Sequence, residues 1–400
     1  MMKKRKKASV GKALLVLGTT LLCLFAGYWG YCRYQAHIRV SYAAKVAQKK
    51  KKIKAETALR ARHENLTHKQ ANEVTEVKLN SYFQSELAAQ LQQIHFVGSA
   101  LLAQHGAIVA TYSAGYADYA LQQRNNDQTA FEIDSLQKSL TGTMIMQEVE
   151  QGRIRLDDKL SRYYPQVTHS DQITLRQMLA MRSGLTMTGM GKEAYTSDDA
   201  VIAYDIDHLS FSATFYGRED YQPVNFVLLA GILTQVTGKT YRTLFKERFI
   251  DALDLQQTAF GYDFSPAFKA ATAYPITDAL LGSYNNPMTL NATQQHLELG
   301  TGQLFMSASD FYQAVRSIFD GTLISAKSVQ ELYVPGSNSP YSGGFYNGPE
   351  VRYANGLGAG YESTVYLSND GQNAVVLMSN YGVNFLSLKN KAAMLINLVK

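Results

Sequence analysis

Two groups of strand-like segments lie far apart in this chain, and the helical stretch between them constrains the fold more than any other feature. Residues 97–119, VGSALLAQHGAIVATYSAGYADY, alternate in character and break at His105-Gly106, which predicts a β-hairpin. Near the other end, Tyr361 to Leu367 and Ala374 to Ser379 again have the character of strands, and a helical run from Leu386 to Val399 follows. Between about 140 and 310 helical periodicity dominates, as in Leu175 to Met181 and Phe226 to Val236. The pattern predicts an α/β (α+β) fold. One antiparallel sheet is built from both chain ends and flanked by helices, with an all-α part inserted at about 140–310. No internal repeat is present.

Charge separates this globular region, from about residue 76 to 400, from what precedes it. Residues 1–60 hold 15 of the 39 Lys and Arg but a single acid, Glu56. The remainder carries 24 basic against 32 acidic residues, a net of −8. The overall charge of +6 is therefore a property of the tail, and the body gives no reason to expect nucleic acid as a partner. Lys3, Lys4, Arg5, Lys6, Lys7 and Lys12 precede an apolar run from Ala13 to Tyr31. Nineteen helical residues span roughly 28 Å, about the thickness of a bilayer core. Tyr28, Trp29 and Tyr31 cluster at the far end, where amphipathic rings favour the interface. The expected order is a cytoplasmic tail (1–12), a single membrane anchor (13–31), an extracellular spacer (32–75) and the globular body outside.

A cleaved signal peptide is the competing reading. The run is long for such a segment and no A-x-A follows, which favours an uncleaved anchor. The two cysteines, Cys23 and Cys32, both belong to the anchor region, and Thr20-Leu21-Leu22 makes a poor lipidation site for Cys23. A cell-surface body without cysteine depends on its core rather than on disulfides, and points to a Gram-positive bacterium. The spacer contains KKKKIK at 49–54, whose cations suit anionic lipid or the phosphate polymers of an envelope, or simply a solvated stalk.

Candidate chemistry centres on FEIDSLQKSLT, residues 131–141, where Ser135 and Lys138 are three apart. Residues i and i+3 share a helix face, so Lys138 can reach Ser135. A serine hydroxyl is a poor nucleophile until a base takes its proton. The run SLQKSLTGTMIMQEVEQG is a helix ending near Gly152, with Thr129 to Ile133 leading in as an extended segment. Ser135 then lies at the helix start, where the dipole and desolvation both favour an anionic oxygen and a neutral lysine. The tetrad is not specific by itself, since Ser9 and Lys12 repeat it in the basic tail.

The surrounding blocks supply the specificity. The segment TAFEIDSLQKSLTGTMIMQEVEQGRIRLDDKLSRYYPQ, from Thr129, resembles the S-x-x-K region of the serine β-lactamases and penicillin-binding proteins, with its following L-D-D turn at Gly152 to Leu160. ITLRQMLAMRSGL (173–185), YQPVNFVLLAGILTQVTGKTY (221–241) and GTGQLFMSASDFYQA (300–314) resemble three further blocks of that superfamily, in the same order. The resemblance covers roughly residues 80–400. It implies a β-lactamase/transpeptidase-like fold and an acyl-enzyme serine hydrolase without cofactor. In that scheme Ser135 attacks a carbonyl, Lys138 is the base, and Tyr221 relays the proton. The backbone N–H groups of Ser135 and Leu357 would form the oxyanion hole.

The chain departs from the family pattern at two places. The second motif, normally Y-x-N, is Tyr221-Gln222-Pro223. The third, normally K-T-G or H-x-G, falls at Ala354-Asn355-Gly356, six residues before Gly360-Tyr361-Glu362-Ser363. The family's acylation groups are kept, whereas the groups that read a peptide amide and a terminal carboxylate are gone. Losing a charged hydrogen bond typically costs about 2 kcal/mol. An ester of a polymer alcohol has no such carboxylate, so the resemblance is closest to the membrane-anchored teichoic-acid D-alanyl esterases. The implied partner is a D-alanylated (lipo)teichoic acid. Peptidoglycan stem peptides, for a D,D-carboxypeptidase or low-affinity penicillin-binding protein, are the alternative, and a non-catalytic envelope sensor is a third. A D-alanyl ester carries an ammonium, and Asp134, Glu219 and Asp220 are the acids adjacent to Ser135 or Tyr221; a solvated loop acid or a helix cap is the competing role for each.

Other signals are set aside. Gly238-Lys239-Thr240 imitates the end of a phosphate-binding loop, but position 233 is Leu where the first glycine is required. The eight histidines show no ligand-like pairing beyond His63 and His68 in the spacer, so no metal is expected. Nothing in the sequence bears on oligomeric state.

Overall fold

The predicted hairpin forms with a two-residue turn. In the computed structural model, β1 (Gly98–Gln104) and β2 (Ala107–Ala114) pair antiparallel, with Gln104 opposite Ala107. His105 and Gly106 take φ of 52° and 80°, the left-handed pair that matches the twist of adjoining strands. The structure describes residues 75–188, 194–265, 267–275, 283–333, 340–358, 360–382 and 387–400. Of the tail, anchor and spacer expected over 1–75, all but Thr75 lie outside the described residues. Contacts divide the chain into Met1–Arg60 and Ala61–Lys400, and all described residues belong to the second unit. No helix among the described residues is long and apolar enough to cross a membrane.

The remaining strands of the main sheet come from the C-terminal part: β3 (Tyr341–Ser342), β4 (Phe345–Asn347), β5 (Val351–Gly358), β6 (Tyr361–Ser368) and β7 (Ala374–Ser379). The order is β3-β4-β5-β6-β7-β1-β2, with antiparallel pairing throughout. The two chain ends thus meet inside one sheet, where Leu101 faces Val376 across β1 and β7.

Period-two alternation sends the central strands to two cores. Ala100, Leu102, Val375 and Leu377 pack under α1 (Ser81–Gln92) and the C-terminal helix Leu388–Leu395. Leu101, Ala103, Val376 and Met378 face the larger core, which holds α2 (Gln137–Glu150) and α3 (Val224–Thr237). In α3 every residue from Val224 to Leu233 is buried, as its continuous apolar run requires. Fully buried leucines such as Leu228 and Leu229 each contribute about 2 kcal/mol of transfer free energy.

The stretch expected to be all helical contains strands as well. Leu304–Met306 pairs with Phe131–Glu132 on one side and with Thr258–Phe260 on the other. Thr258, Phe260 and Phe305 are buried β-formers in runs too short to carry a period. This small sheet fixes the segment that enters α2, because the Ile133 N–H donates to the Leu304 carbonyl at 2.9 Å.

Candidate active site

Ser135 stands on a sharp turn between a strand and a buried helix. Ile133 leaves the small sheet, Asp134 adopts a left-handed φ of 45°, and a 3-10 turn over Asp134–Leu136 runs directly into α2. Left-handed backbone is unfavourable for most side chains and is tolerated best by Asp, Asn and Gly. Gly152, at φ 69°, follows the helix end where the sequence placed it.

Lys138, at 1% exposure, lies one turn along and donates from Nζ to Ser135 Oγ at 2.8 Å. Ser135 itself is half-buried. The Lys138 Nζ is also 5.3 Å from the centre of the Tyr221 ring. These three residues, separated by up to 86 positions, are therefore brought together by the fold.

Tyr221 is presented by the segment entering α3. Ser183 Oγ donates to Asn225 Oδ1 at 2.6 Å, and Asn225 Nδ2 donates to the Gln222 carbonyl at 3.0 Å. This pins the Ser183-Gly184-Leu185 block against the turn that carries Tyr221. Pro223 precedes the first residue of α3, where its missing N–H leaves no bond unmade. Tyr341, buried at 2% exposure, meets the Tyr221 ring edge-on at 5.4 Å and hydrogen-bonds its side chain. Burial, then the proximity of Tyr221 and Tyr346, pushes the Tyr341 hydroxyl well above its usual range. The sequence reading missed Tyr341, since nothing local ties β3 to Tyr221.

The third-motif strand, β5, lies against the Ser135 turn. A Cβ on Gly356 would collide with the Ile133 carbonyl oxygen, so only glycine permits this approach. Leu357 follows immediately, with its side chain 75% exposed, and Asn355 is half-buried opposite Thr364. Ala354, at 3% exposure, is packed into the core, so this position supplies no cation or imidazole.

The three adjacent acids take different places. Asp220 Oδ2 accepts from Gln222 Nε2 at 3.1 Å within the loop. Glu219 interacts electrostatically with Tyr341 and Tyr346, two aromatic neighbours of Tyr221. Asp134 is neither a solvated loop acid nor a helix cap: it is 5% exposed, and its carboxylate lies against Gly358, where a Cβ would strike Oδ1.

Asp134 has two carboxyl companions that the sequence did not single out. Oxygens of Glu132, Asp134 and Glu298 all lie within 4.8 Å of one another. Gln295 Nε2 donates to Glu132 Oε1, while Glu132 Oε2 and Asp134 Oδ2 are buried without a hydrogen-bond partner. Desolvation, with smaller repulsion from Glu298, raises the Glu132 carboxyl from 4.5 to about 7 despite the Gln295 bond. Desolvation and then repulsion from Glu132 and Glu298 hold Asp134 well above the usual carboxylate range, with Lys138 opposing. Glu298 is raised by desolvation, and Lys138 opposes that too. The signal available in sequence was Glu132 itself, a charged residue between Phe131 and Ile133 in a buried strand.

Comparison with known proteins agrees with this geometry. The Beta-lactamase family matches residues 83–397. PbpX of Bacillus subtilis (strain 168), provisionally named a penicillin-binding protein, is 27% identical over 401 residues, 99% of this chain and 96% of that one. Teichoic acid D-alanine hydrolase of Staphylococcus aureus is 29% identical over 349 residues, 84% of this chain and 85% of its own. The crystal structure of FmtA from Staphylococcus aureus superposes with a TM-score of 0.70 at 25% identity, covering 84% of this chain and 94% of that one. D-amino acid amidase from Ochrobactrum anthropi shares the fold, with a TM-score of 0.65 at 22% identity over 79% of this chain and 97% of that one. A match over this length, on a fold that assembles the S-x-x-K serine, its lysine and the second-motif tyrosine, means that the chain belongs to the beta-lactamase family, within the serine hydrolase superfamily that includes the penicillin-binding proteins.

Proposed function

We propose that this protein is an extracytoplasmic serine hydrolase that removes D-alanine esters from teichoic acid. The observation that carries the reading is the 2.8 Å Lys138–Ser135 hydrogen bond together with a third motif that begins with the buried Ala354 instead of a cation or imidazole. Ser135 Oγ bonds to the ester carbonyl carbon as its proton passes to Lys138. The Ser135 and Leu357 N–H groups receive the oxyanion. The ester C–O bond breaks, and the polymer alcohol leaves with a proton relayed through Tyr221. Water then attacks the acyl-enzyme and releases D-alanine, the proton traffic reversing. The name of the Staphylococcus aureus relative, a teichoic acid D-alanine hydrolase, supports this substrate class. The basic tail and the apolar run Ala13 to Tyr31 support a membrane-anchored enzyme facing the envelope.

A second reading, a D,D-carboxypeptidase on peptidoglycan, draws support from the likeness to PbpX. The two separate in one experiment. The full-length chain in detergent is incubated with D-alanylated lipoteichoic acid and, separately, with a D-Ala-D-Ala muropeptide, and free D-alanine is assayed. Release from the teichoic acid is expected. Release from the muropeptide alone would overturn the esterase reading, and release from neither would favour a non-catalytic sensor.

A further inference from the structure

We infer that Glu132, Asp134 and Glu298 form a pocket for the α-ammonium of the acyl group, so that the enzyme selects aminoacyl esters over simple acyl esters. This deepens the esterase reading and rests on it. Three observations combine. The first is position: Asp134 precedes Ser135 in the chain, and Lys138, whose Nζ donates to Ser135 Oγ at 2.8 Å, acts electrostatically on both Asp134 and Glu298. In an α-aminoacyl ester the ammonium is attached to the carbon next to the carbonyl under attack. A cation-binding group must therefore lie next to the nucleophile, as this cluster does.

The second observation is that two members are prepared and left unanswered. Glu132 and Asp134 are 1% and 5% exposed, and each keeps a carboxylate oxygen with no protein donor. Buried polar groups are nearly always paired, and an unpaired one typically marks a functional role or an unseen ligand. The third is space. A Cβ on Gly302 would collide with the Glu298 carboxylate, and one on Gly358 with that of Asp134, so two glycines clear room for two of the three acids.

An alkylammonium has three N–H donors, which suits three converging carboxyl groups. In its absence burial keeps protons on the cluster; an entering ammonium supplies the counter-charge and releases them. Glu298, half-buried, is the outer wall, while Glu132 and Asp134 form the floor.

The test uses the full-length enzyme with three soluble esters of one alcohol: D-alanyl, propionyl and N-acetyl-D-alanyl. The wild type is expected to favour the D-alanyl ester in kcat/KM by at least about thirtyfold. Glu298→Gln, a change at a partly exposed position, should shrink that preference about tenfold, mainly through KM. Equal kcat/KM for the D-alanyl and propionyl esters would overturn the pocket while leaving the hydrolase intact. A D-alanyl preference without release from teichoic acid would support the pocket and overturn the polymer assignment. Calorimetric binding of Mg²⁺, Ca²⁺ or Zn²⁺ that Glu298→Gln abolishes, with no D-alanyl preference, would make this a metal site and overturn the inference.

Discussion

At the C-terminal end of α2, Glu148 is fully buried and meets two guanidiniums, Arg248 at 2.5 Å and Arg153. At the N-terminal end of the same helix, Glu132, Asp134 and Glu298 crowd together with Lys138 as the cation beside them. Both ends place carboxyl groups where water is scarce, and only the first pairs its carboxylate with bidentate-capable donors. A buried carboxylate without a partner is expensive, and the usual response is to keep its proton. The difference separates structural acid from site acid. Glu148 ties α2 to the Arg248 segment. The three acids near Ser135 hold an unfavourable arrangement that packing alone does not need.

The comparison breaks most visibly at its catalytic end. Ser135→Ala should lower D-alanyl ester hydrolysis by about a thousandfold or more, as removal of an attacking oxygen generally does. A second change tests the structural end. Glu148→Ala leaves two partly buried guanidiniums without the carboxylate they share and should destabilise the fold by about 3 kcal/mol in denaturant unfolding. An effect below 1 kcal/mol would erase the contrast between the two ends.

The pH dependence sharpens the same contrast. Glu132 holds its proton to about 7 in the folded protein but releases it near 4.5 when unfolded. Between those values the folded chain binds more protons, so this group's contribution to stability is full below 4.5 and is lost as pH rises through about 7. Glu132→Gln mimics the protonated form. It should therefore raise stability by about 2 kcal/mol at pH 8 and leave it nearly unchanged at pH 4, measured as Tm. A variant less stable than wild type at pH 8 would mean that the carboxylate is paired there after all. The smallest effect concerns Tyr341. Removing its hydroxyl in Tyr341→Phe loosens Tyr221 by one hydrogen bond, about 1 kcal/mol, so kcat should fall roughly fivefold with KM unchanged.

Much of this was legible in the chain because the relevant physics is local. The His105-Gly106 turn, β6, β7 and the Ser135–Lys138 pair each rest on a short-range rule: positive φ, period two, or i,i+3 spacing. Asp134 was marked for its place beside Ser135, but its burial was not foreseen. Glu298 approaches Glu132 and Asp134 only because Leu304–Met306 pairs with Phe131–Glu132, a register set by burial rather than by a pattern within either segment. Tyr341 escaped for the same reason, since its partner Tyr221 lies 120 positions earlier in the chain, on the segment entering α3. The glycines at 302 and 358 are the nearest thing to a local sign, and their meaning depends on which carboxylate fills the space.

The central claim, that Ser135 carries an alanyl group taken from an ester, is tested most directly by trapping that intermediate. The full-length enzyme is mixed with a D-alanyl ester, quenched in acid within one turnover, digested and examined by mass spectrometry. The account predicts a D-alanyl adduct on the peptide containing Ser135, absent in Ser135→Ala. Turnover with no adduct at Ser135, or unchanged turnover by Ser135→Ala, would contradict it.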